Sequence, residues 1–320
     1  MIRFALVGTG GIARWHVEAL RRVPNAKLEV VLGRNVQRLK AFAARNDIPA
    51  VERFHERVFD KLPVDAVLVA TEPEFHAAAG IAAARAGKHV LVEKPIEVST
   101  EAAGRLIEEC KKAGVRLSVV AQKRFDPRYR WLKELLAAGT LGDFRLGLLE
   151  FVSHRPPAYY EDSPWRKGPA GGILVNHLIH WIDLWLDLLG TPDEAVSLVE
   201  RVKGGHAEAA TCSLVYRGLG MVTLQGTLAY AEPLPARFTY VGARGRFDWT
   251  GACCTVHGSF HFPWSWQRWC LGSRWSERLV PPGDLFHQLQ DWTESLLHNR
   301  PPAVSPETGL AALKIALGEK

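Results

Sequence analysis

Lys94 sits where a strand must stop. The run His89 to Ile96 reads HVLVEKPI: apolar residues, then Glu93 and Lys94, then Pro95, whose ring removes a ladder donor. The charged pair therefore lies at a strand's carboxyl end, the edge of an open parallel sheet at which ligands bind. An ammonium group held there can polarise a substrate oxygen. A second chemical candidate lies in ILVNHLIHWIDLWLDLLG, the helical stretch after Gly171 and Gly172. Apolar on most faces, this helix must be buried on more than one side. Asn176, His180, Asp183 and Asp187 fall at i, i+4, i+7 and i+11, which predicts one polar stripe. Polar groups are expensive to strand in a dry core, so the stripe calls for hydrogen-bond partners or a polar cavity. His177 and His180, with Asp183 or His154, come nearest to a metal set. No HxxxH or paired-cysteine spacing supports one, and no metal is expected.

The elements that must position these residues begin at the N-terminus. Arg3 to Val7 is an apolar run ending in Gly8-Thr9-Gly10-Gly11-Ile12-Ala13, after which Ala13, Val17, Ala19 and Leu20 continue at helical spacing. This is GxGxxA between a strand and a helix. Gly8 permits the tight turn, Gly10 lets backbone approach a diphosphate, Ala13 allows close helix packing, and the helix N-terminus supplies an anion site. Leu28 to Leu32 reads as the second strand. It ends in Gly33-Arg34-Asn35, where a dinucleotide fold usually carries an acidic residue for the adenosine ribose. Without that carboxylate, Arg34, with Arg38, can pair with a 2′-phosphate, so the cofactor reading leans to NADP over NAD. Asn35 also reads as the cap of a helix from about Val36 to Arg45.

The segment through Phe54 and Phe59 looks irregular. Further strands at Val64 to Ala70, His89 to Val92 and Val115 to Ala121 alternate with helices, which predicts a parallel, doubly wound sheet. After Gln122 the character changes. A helix from Asp126-Pro127 to Gly139 precedes strands at Phe144 to Ser153, Ala195 to Val202, Ala207 to Tyr216, Met221 to Ala229 and Arg237 to Val241. These predict an antiparallel sheet with the long helix in its first connection. Helices follow at about Asp284 to His298 and Glu307 to Leu317. The expected division is a Rossmann domain over 1–121 and an α+β domain with a large, mostly antiparallel open sheet over 122–320, the last helix packing back on the first.

Composition narrows the class. The chain has 320 residues, 47% hydrophobic and 23% charged, with a formal charge of +6. Its Arg and Lys residues form no basic tract, so the charge implies attraction for anionic small molecules and no nucleic-acid partner. The greasiest stretch, Ile173 to Leu189, is interrupted by Asn, His and Asp, and no membrane span is expected. The N-terminus lacks a signal-peptide layout, and Cys110, Cys212, Cys253, Cys254 and Cys270 are unevenly spaced; reduced thiols in a cytoplasmic protein follow. Trp264, Trp266, Trp269 and Trp275 suit a subunit interface better than a sugar-stacking platform.

Taken together, Gly8 to Ala13, Thr71-Glu72-Pro73-Glu74-Phe75-His76, Glu93-Lys94-Pro95, Gln122 to Pro127 and GGILVNHLIHWID resemble the Gfo/Idh/MocA oxidoreductase family over nearly the whole chain. The resemblance implies a Rossmann domain binding NAD or NADP and a C-terminal α/β domain supplying the substrate pocket and an interface, hence a homodimer or homotetramer through the C-terminal sheet. It implies Lys94 as the active-site lysine, His180 as the proton-transfer histidine and Asn176 beside them. It implies Gly8, Gly10, Gly11, Ile12, Arg34, Thr71, His76, Glu93, Lys94 and Gln122 as cofactor-binding positions. On the substrate side it implies Lys94, Arg124, Trp165, Arg166, Asn176, His177 and His180.

Two positions depart from the commonest family pattern: Asn176 stands for Asp, and Leu178 for Gly. Asn176 and Trp165-Arg166 resemble the branch of nucleotide-sugar 3-dehydrogenases. The implied reaction moves a hydride between nicotinamide and a secondary hydroxyl or ketone of a sugar, cyclitol or nucleotide sugar. An NAD-dependent glycosidase of the same fold and a catalytically idle NAD(P)-binding sensor are the alternatives.

Overall fold

The computed structural model describes residues 1–161, 163–201, 207–258, 269–270 and 283–319. They fall into two compact units, Met1–Phe125 with Val280–Leu313, and Asp126–Leu279 with Lys314–Lys320. The chain thus returns to its first unit after completing its second sheet.

In the first unit, strands β1 (Ile2–Val7), β2 (Ala26–Gly33), β3 (Ala50–Arg53), β4 (Ala66–Val69), β5 (His89–Val92) and β6 (Leu117–Val119) alternate with helices α1 (Gly11–Leu20), α2 (Val36–Arg45), α3 (His76–Arg85) and α4 (Thr100–Lys112). The strands pair in the order β3-β2-β1-β4-β5-β6, all parallel. Strands are added outward on one side of β1 and then on the other, the doubly wound arrangement whose carboxyl edge is a ligand crevice. Every residue of β4 and β6 is buried, as a sheet covered on both faces requires. Phe4, Leu6, Leu68 and Leu91 share one core with Ala13, Val17 and Leu20 of α1. Val90 points to the opposite face, where Gly80 of α3 packs so closely that a Cβ there would crowd Leu106 of α4 and touch Val90. The segment read as irregular holds the edge strand β3, too short and too charged to announce itself.

The second unit holds α5 (Pro127–Ala137), β7 (Phe144–Val152), the one-turn helix α6 (Pro157–Glu161), α7 (Ile179–Leu189) and strands β8 (Glu194–Arg201), β9 (Ala207–Tyr216), β10 (Gly220–Thr227), β11 (Arg237–Gly242), β12 (Gly245–Thr250), β13 (Cys253–Gly258) and β14 (Trp269–Cys270). Its eight-stranded sheet runs β14-β13-β12-β11-β7-β10-β9-β8. All neighbours are antiparallel except β7 and β10, which are parallel. This is the large, mostly antiparallel sheet expected; β7 and β10 are far apart in sequence, and their parallel pairing is set by tertiary packing. On one sheet face Trp185 of α7 stacks on Phe238 (centroids 4.5 Å apart) and leaves no room for a side chain at Gly147.

After these come α8 (Gly283–Leu297) and α9 (Pro306–Leu317). Leu285, Leu289 and Trp292 of α8 join the core of the first unit. The side chain of Gln288, also buried, accepts from Ala121 N (2.9 Å) and donates to Val119 O (2.8 Å), extending the ladder at the end of β6. Of the tryptophan cluster, Trp264, Trp266 and Trp275 lie outside the described residues, as does the side chain of Trp269. Among the described residues no helix is long and apolar enough to cross a membrane, and no group of His, Cys, Asp and Glu could hold a metal.

Candidate active site

The first unit gathers its predicted site residues along the carboxyl edge of its sheet. Gly8, directly after β1, has φ +115°, and a Cβ there would collide with Ala70 O at the end of β4. Around Gly10 and Gly11 the reverse holds. A Cβ on either would meet nothing within 4 Å, and no side chain caps α1, whose N-cap is Gly10. The loop is thus tight beneath and open above, with first-turn amides left for an anion, which fits a dinucleotide diphosphate. Ile12 is exposed in that first turn.

Glu93 and Lys94 follow β5. Glu93 is buried, and both carboxylate oxygens are engaged: Oε1 with His16 Nε2 (2.7 Å) and Oε2 with Lys94 N (3.0 Å). Burial alone would push the Glu93 carboxyl up, but the His16 contact, the Lys94 charge and the Lys94 N–H together outweigh it and hold the carboxyl below its usual range. The backbone of Lys94 is therefore clamped by an ion pair anchored on α1, while its side chain is half-buried. His16 was missed in the sequence. The signal was present: Ala13, His16, Val17 and Leu20 form the buried face of α1, and a histidine on such a face needs a partner.

His76, at the start of α3, is fully buried. Its Nδ1 faces Pro95 O (2.9 Å) and its Nε2 faces Thr71 O (3.2 Å), so it ties the loop after β4 to the loop after β5. Desolvation pushes its pKa down. Gln122 stands after β6 with a buried Oε1 that has no protein partner, an acceptor turned inward at the cofactor edge. Arg124 is half-buried on the same single turn, Gln122–Phe125. Arg34 is exposed at the end of β2. Asn35 caps α2 by accepting from Arg38 N (2.9 Å).

In the second unit, the helix after Gly172 is not a regular α-helix. Leu174–Leu178 form a π turn, with Ile179 N donating to Leu174 O, and only then does α7 begin. The π turn carries Asn176 and His177, and α7 carries His180, Asp183 and Asp187. Asn176 and Asp183 are buried, whereas His177 and His180 are half-buried. Asp187 accepts from Tyr129 Oη (2.6 Å) and Lys133 Nζ (3.0 Å), a structural contact. Asn176 Nδ2 donates to Tyr159 Oη (2.8 Å), Arg166 Nη1 donates to Tyr159 O (2.7 Å), and the guanidinium lies 3.9 Å from the Tyr159 ring centre. Trp165 and Arg166, on the single turn Pro164–Lys167, are thus joined to Asn176 through a tyrosine that no local pattern flagged. His177 stacks on Phe151, ring centres 5.7 Å apart.

Residues 2–121 match the oxidoreductase family with an NAD-binding Rossmann fold, and residues 129–248 match the GFO/IDH/MocA C-terminal domain. The chain belongs to the GFO/IDH/MocA oxidoreductase family. Among relatives of this GFO/IDH/MocA protein, a myo-inositol 2-dehydrogenase from Thermotoga maritima is 25% identical over all of this chain and 95% of its own. The Escherichia coli oxidoreductase YdgJ is 30% identical over 77% of this chain and 70% of its own. A solved structure of the WlbA dehydrogenase from Bordetella pertussis, in complex with NADH and UDP-GlcNAcA, superposes with a TM-score of 0.83 over 99% of this chain and 95% of its own, at 24% identity.

Proposed function

We propose that this oxidoreductase moves a hydride between a nicotinamide dinucleotide and a secondary hydroxyl or ketone of a sugar, cyclitol or nucleotide sugar. The observation that carries the reading is Lys94, set at the carboxyl edge of a parallel sheet by the buried His16–Glu93 pair, on the edge that carries the open glycine loop. Bound, the nicotinamide accepts or returns the hydride. Gly8, Gly10, Gly11 and Ile12 hold the diphosphate, and the loops of Thr71, His76 and Gln122 shape the rest of its bed. Glu93 acts through the backbone of Lys94.

Alcohol oxidation needs a base for the hydroxyl proton and positive charge beside the oxygen as it becomes alkoxide-like. Lys94 supplies the charge. His180 takes the proton, as an imidazole with a reference pKa near ~6.5 can at neutral pH. Asn176 cannot ionise; fixed by Tyr159, it orients substrate and relays no proton. Arg124, Trp165, Arg166 and His177 complete the substrate side. The polyol and nucleotide-sugar substrates follow the names of the relatives, and Arg34 offers a 2′-phosphate its cation, so the protein accepts NADP, with NAD the alternative. None of Cys110, Cys212, Cys253 and Cys254 is in a disulfide, which suits the cytoplasm.

A second copy of the chain completes the assembly. On the sheet face turned away from Trp185, register places Leu198, Thr211, Gln225, Glu150 and Arg237 in one row, around a hollow. Leu146, Leu148, Val196, Leu198 and Met221 are exposed apolar residues of that face. So broad an apolar surface on one sheet suits a self-complementary contact.

The test is a panel of inositols, sugars and nucleotide sugars, followed by nicotinamide absorbance with NAD and NADP. Reduction of cofactor with at least one polyol or nucleotide sugar is expected. Release of free sugar without net cofactor turnover would replace the dehydrogenase with a glycosidase.

A further inference from the structure

The missing carboxylate at the end of β2 is supplied from elsewhere. Arg34 Nη2 lies 3.5 Å from Glu72 Oε2, and its guanidinium carbon lies 4.3 Å from the centre of the Phe75 ring. Both partners come from the segment that follows β4. Because β2 and β4 flank β1 on opposite sides, the Arg34–Glu72 pair spans the sheet edge at the glycine loop. The arginine that sequence reads as an open cation is therefore held between an aromatic face and a carboxylate.

We propose that Glu72 is the residue that sets the NAD to NADP ratio of this protein, serving from the β4 loop the purpose that an acidic residue at the end of β2 serves in other dinucleotide folds. The proposal rests on the reading above that the adenosine ribose lies at the end of β2. A ribose 2′-hydroxyl can donate to Glu72 and accept from Arg34, so NAD leaves the pair intact. A 2′-phosphate must share or displace Glu72 to reach the guanidinium and then sits beside a like charge. Glu72 thus cuts back the preference for NADP that Arg34 alone would create. Its side chain is 44% exposed and that of Arg34 65%, so the pair adds little to folding and its removal leaves the scaffold intact.

The experiment is equilibrium titration of the full chain with NADH and with NADPH, without substrate, read by nicotinamide fluorescence. It is run on wild type, Glu72→Gln, Arg34→Ala and the double variant. Glu72→Gln is expected to tighten NADPH about tenfold while changing NADH less than about threefold, with an unchanged melting temperature. In the Arg34→Ala background the gain should shrink, since the freed guanidinium is what receives the phosphate. If Glu72→Gln leaves the NADPH to NADH ratio where it was, the proposal is overturned while dinucleotide binding stands. If wild type binds neither dinucleotide, the cofactor reading itself fails.

Discussion

The parallel sheet of the first unit is covered on both faces and carries its candidate site residues along its carboxyl edge. The eight-stranded sheet of the second unit carries α7 on one face and leaves Leu146, Leu148, Val196, Leu198 and Met221 open on the other. In the first, buried polar groups meet partners from other elements, His16 Nε2 with Glu93, His76 with two carbonyls and Gln288 with the end of β6, while Gln122 Oε1 has none. In the second, the groups of interest hang from one irregular helix, and the conspicuous exposed surface is apolar. Strand ends fix side chains through the backbone; a broad sheet face offers area. One sheet is suited to holding reacting groups and the other to holding a neighbour.

Removing the partner of a buried charge should break the first region. His16→Ala leaves the Glu93 carboxylate buried beside Lys94, and a loss of about 3–5 kcal/mol is expected in urea unfolding. A loss below about 1 kcal/mol would mean that water reaches Glu93 and the clamp is loose. The exposed Arg34–Glu72 pair makes the internal control, because its loss should be nearly silent in the same assay. In the second region, Leu198→Asp together with Val196→Asp should abolish the proposed self-association, giving monomers by light scattering while the far-UV spectrum persists. An unchanged mass would move the interface off this face.

Acid should separate the units. Burial holds His76 and His89 below the ordinary 6.5. Above that pH folded and unfolded chains are alike in protonation there. Below it the unfolded chain takes up protons that the folded one resists, so stability falls as pH drops through 6.5. The Glu93 carboxyl, held below 4.5, adds its loss at lower pH, while Glu97, raised by burial, works the other way. In the second unit, burial raises Cys212 and Tyr240 and pushes the Tyr216 hydroxyl beyond its usual range, shifts that matter only in alkali. Hydrogen exchange between pH 7 and 5 should show the loops after β4 and β5 losing protection before β9 and β10. His76→Gln should flatten that dependence, read as the change in unfolding free energy between the two pH values.

These differences also decide what the sequence could reveal. The parallel, doubly wound character of the first sheet was legible because β1, β2, β4, β5 and β6 are short apolar runs alternating with helices, whereas the charged edge strand β3 was not. Gly87, Gly114 and Gly139 all take the positive φ their positions after helices imply. Lys94 was legible because Pro95 ends its strand. Three features were not. The β7–β10 pairing joins strands separated by the helices α6 and α7 and by two other strands. The π turn Leu174–Leu178, which carries Asn176, stands where the spacing predicts regular helix. The Glu72–Arg34 pair joins two strand ends that are adjacent only once the sheet is folded. Each depends on which elements meet, and local spacing carries no trace of that.

The central claim is that His180 moves the substrate proton while the first unit holds the dinucleotide. It is tested most directly by comparing His180→Ala with wild type in two assays, NADH binding and single-turnover hydride transfer with a substrate found in the panel. Binding within about twofold of wild type is expected, with hydride transfer slowed about a thousandfold. Hydride transfer at the wild-type rate would contradict it.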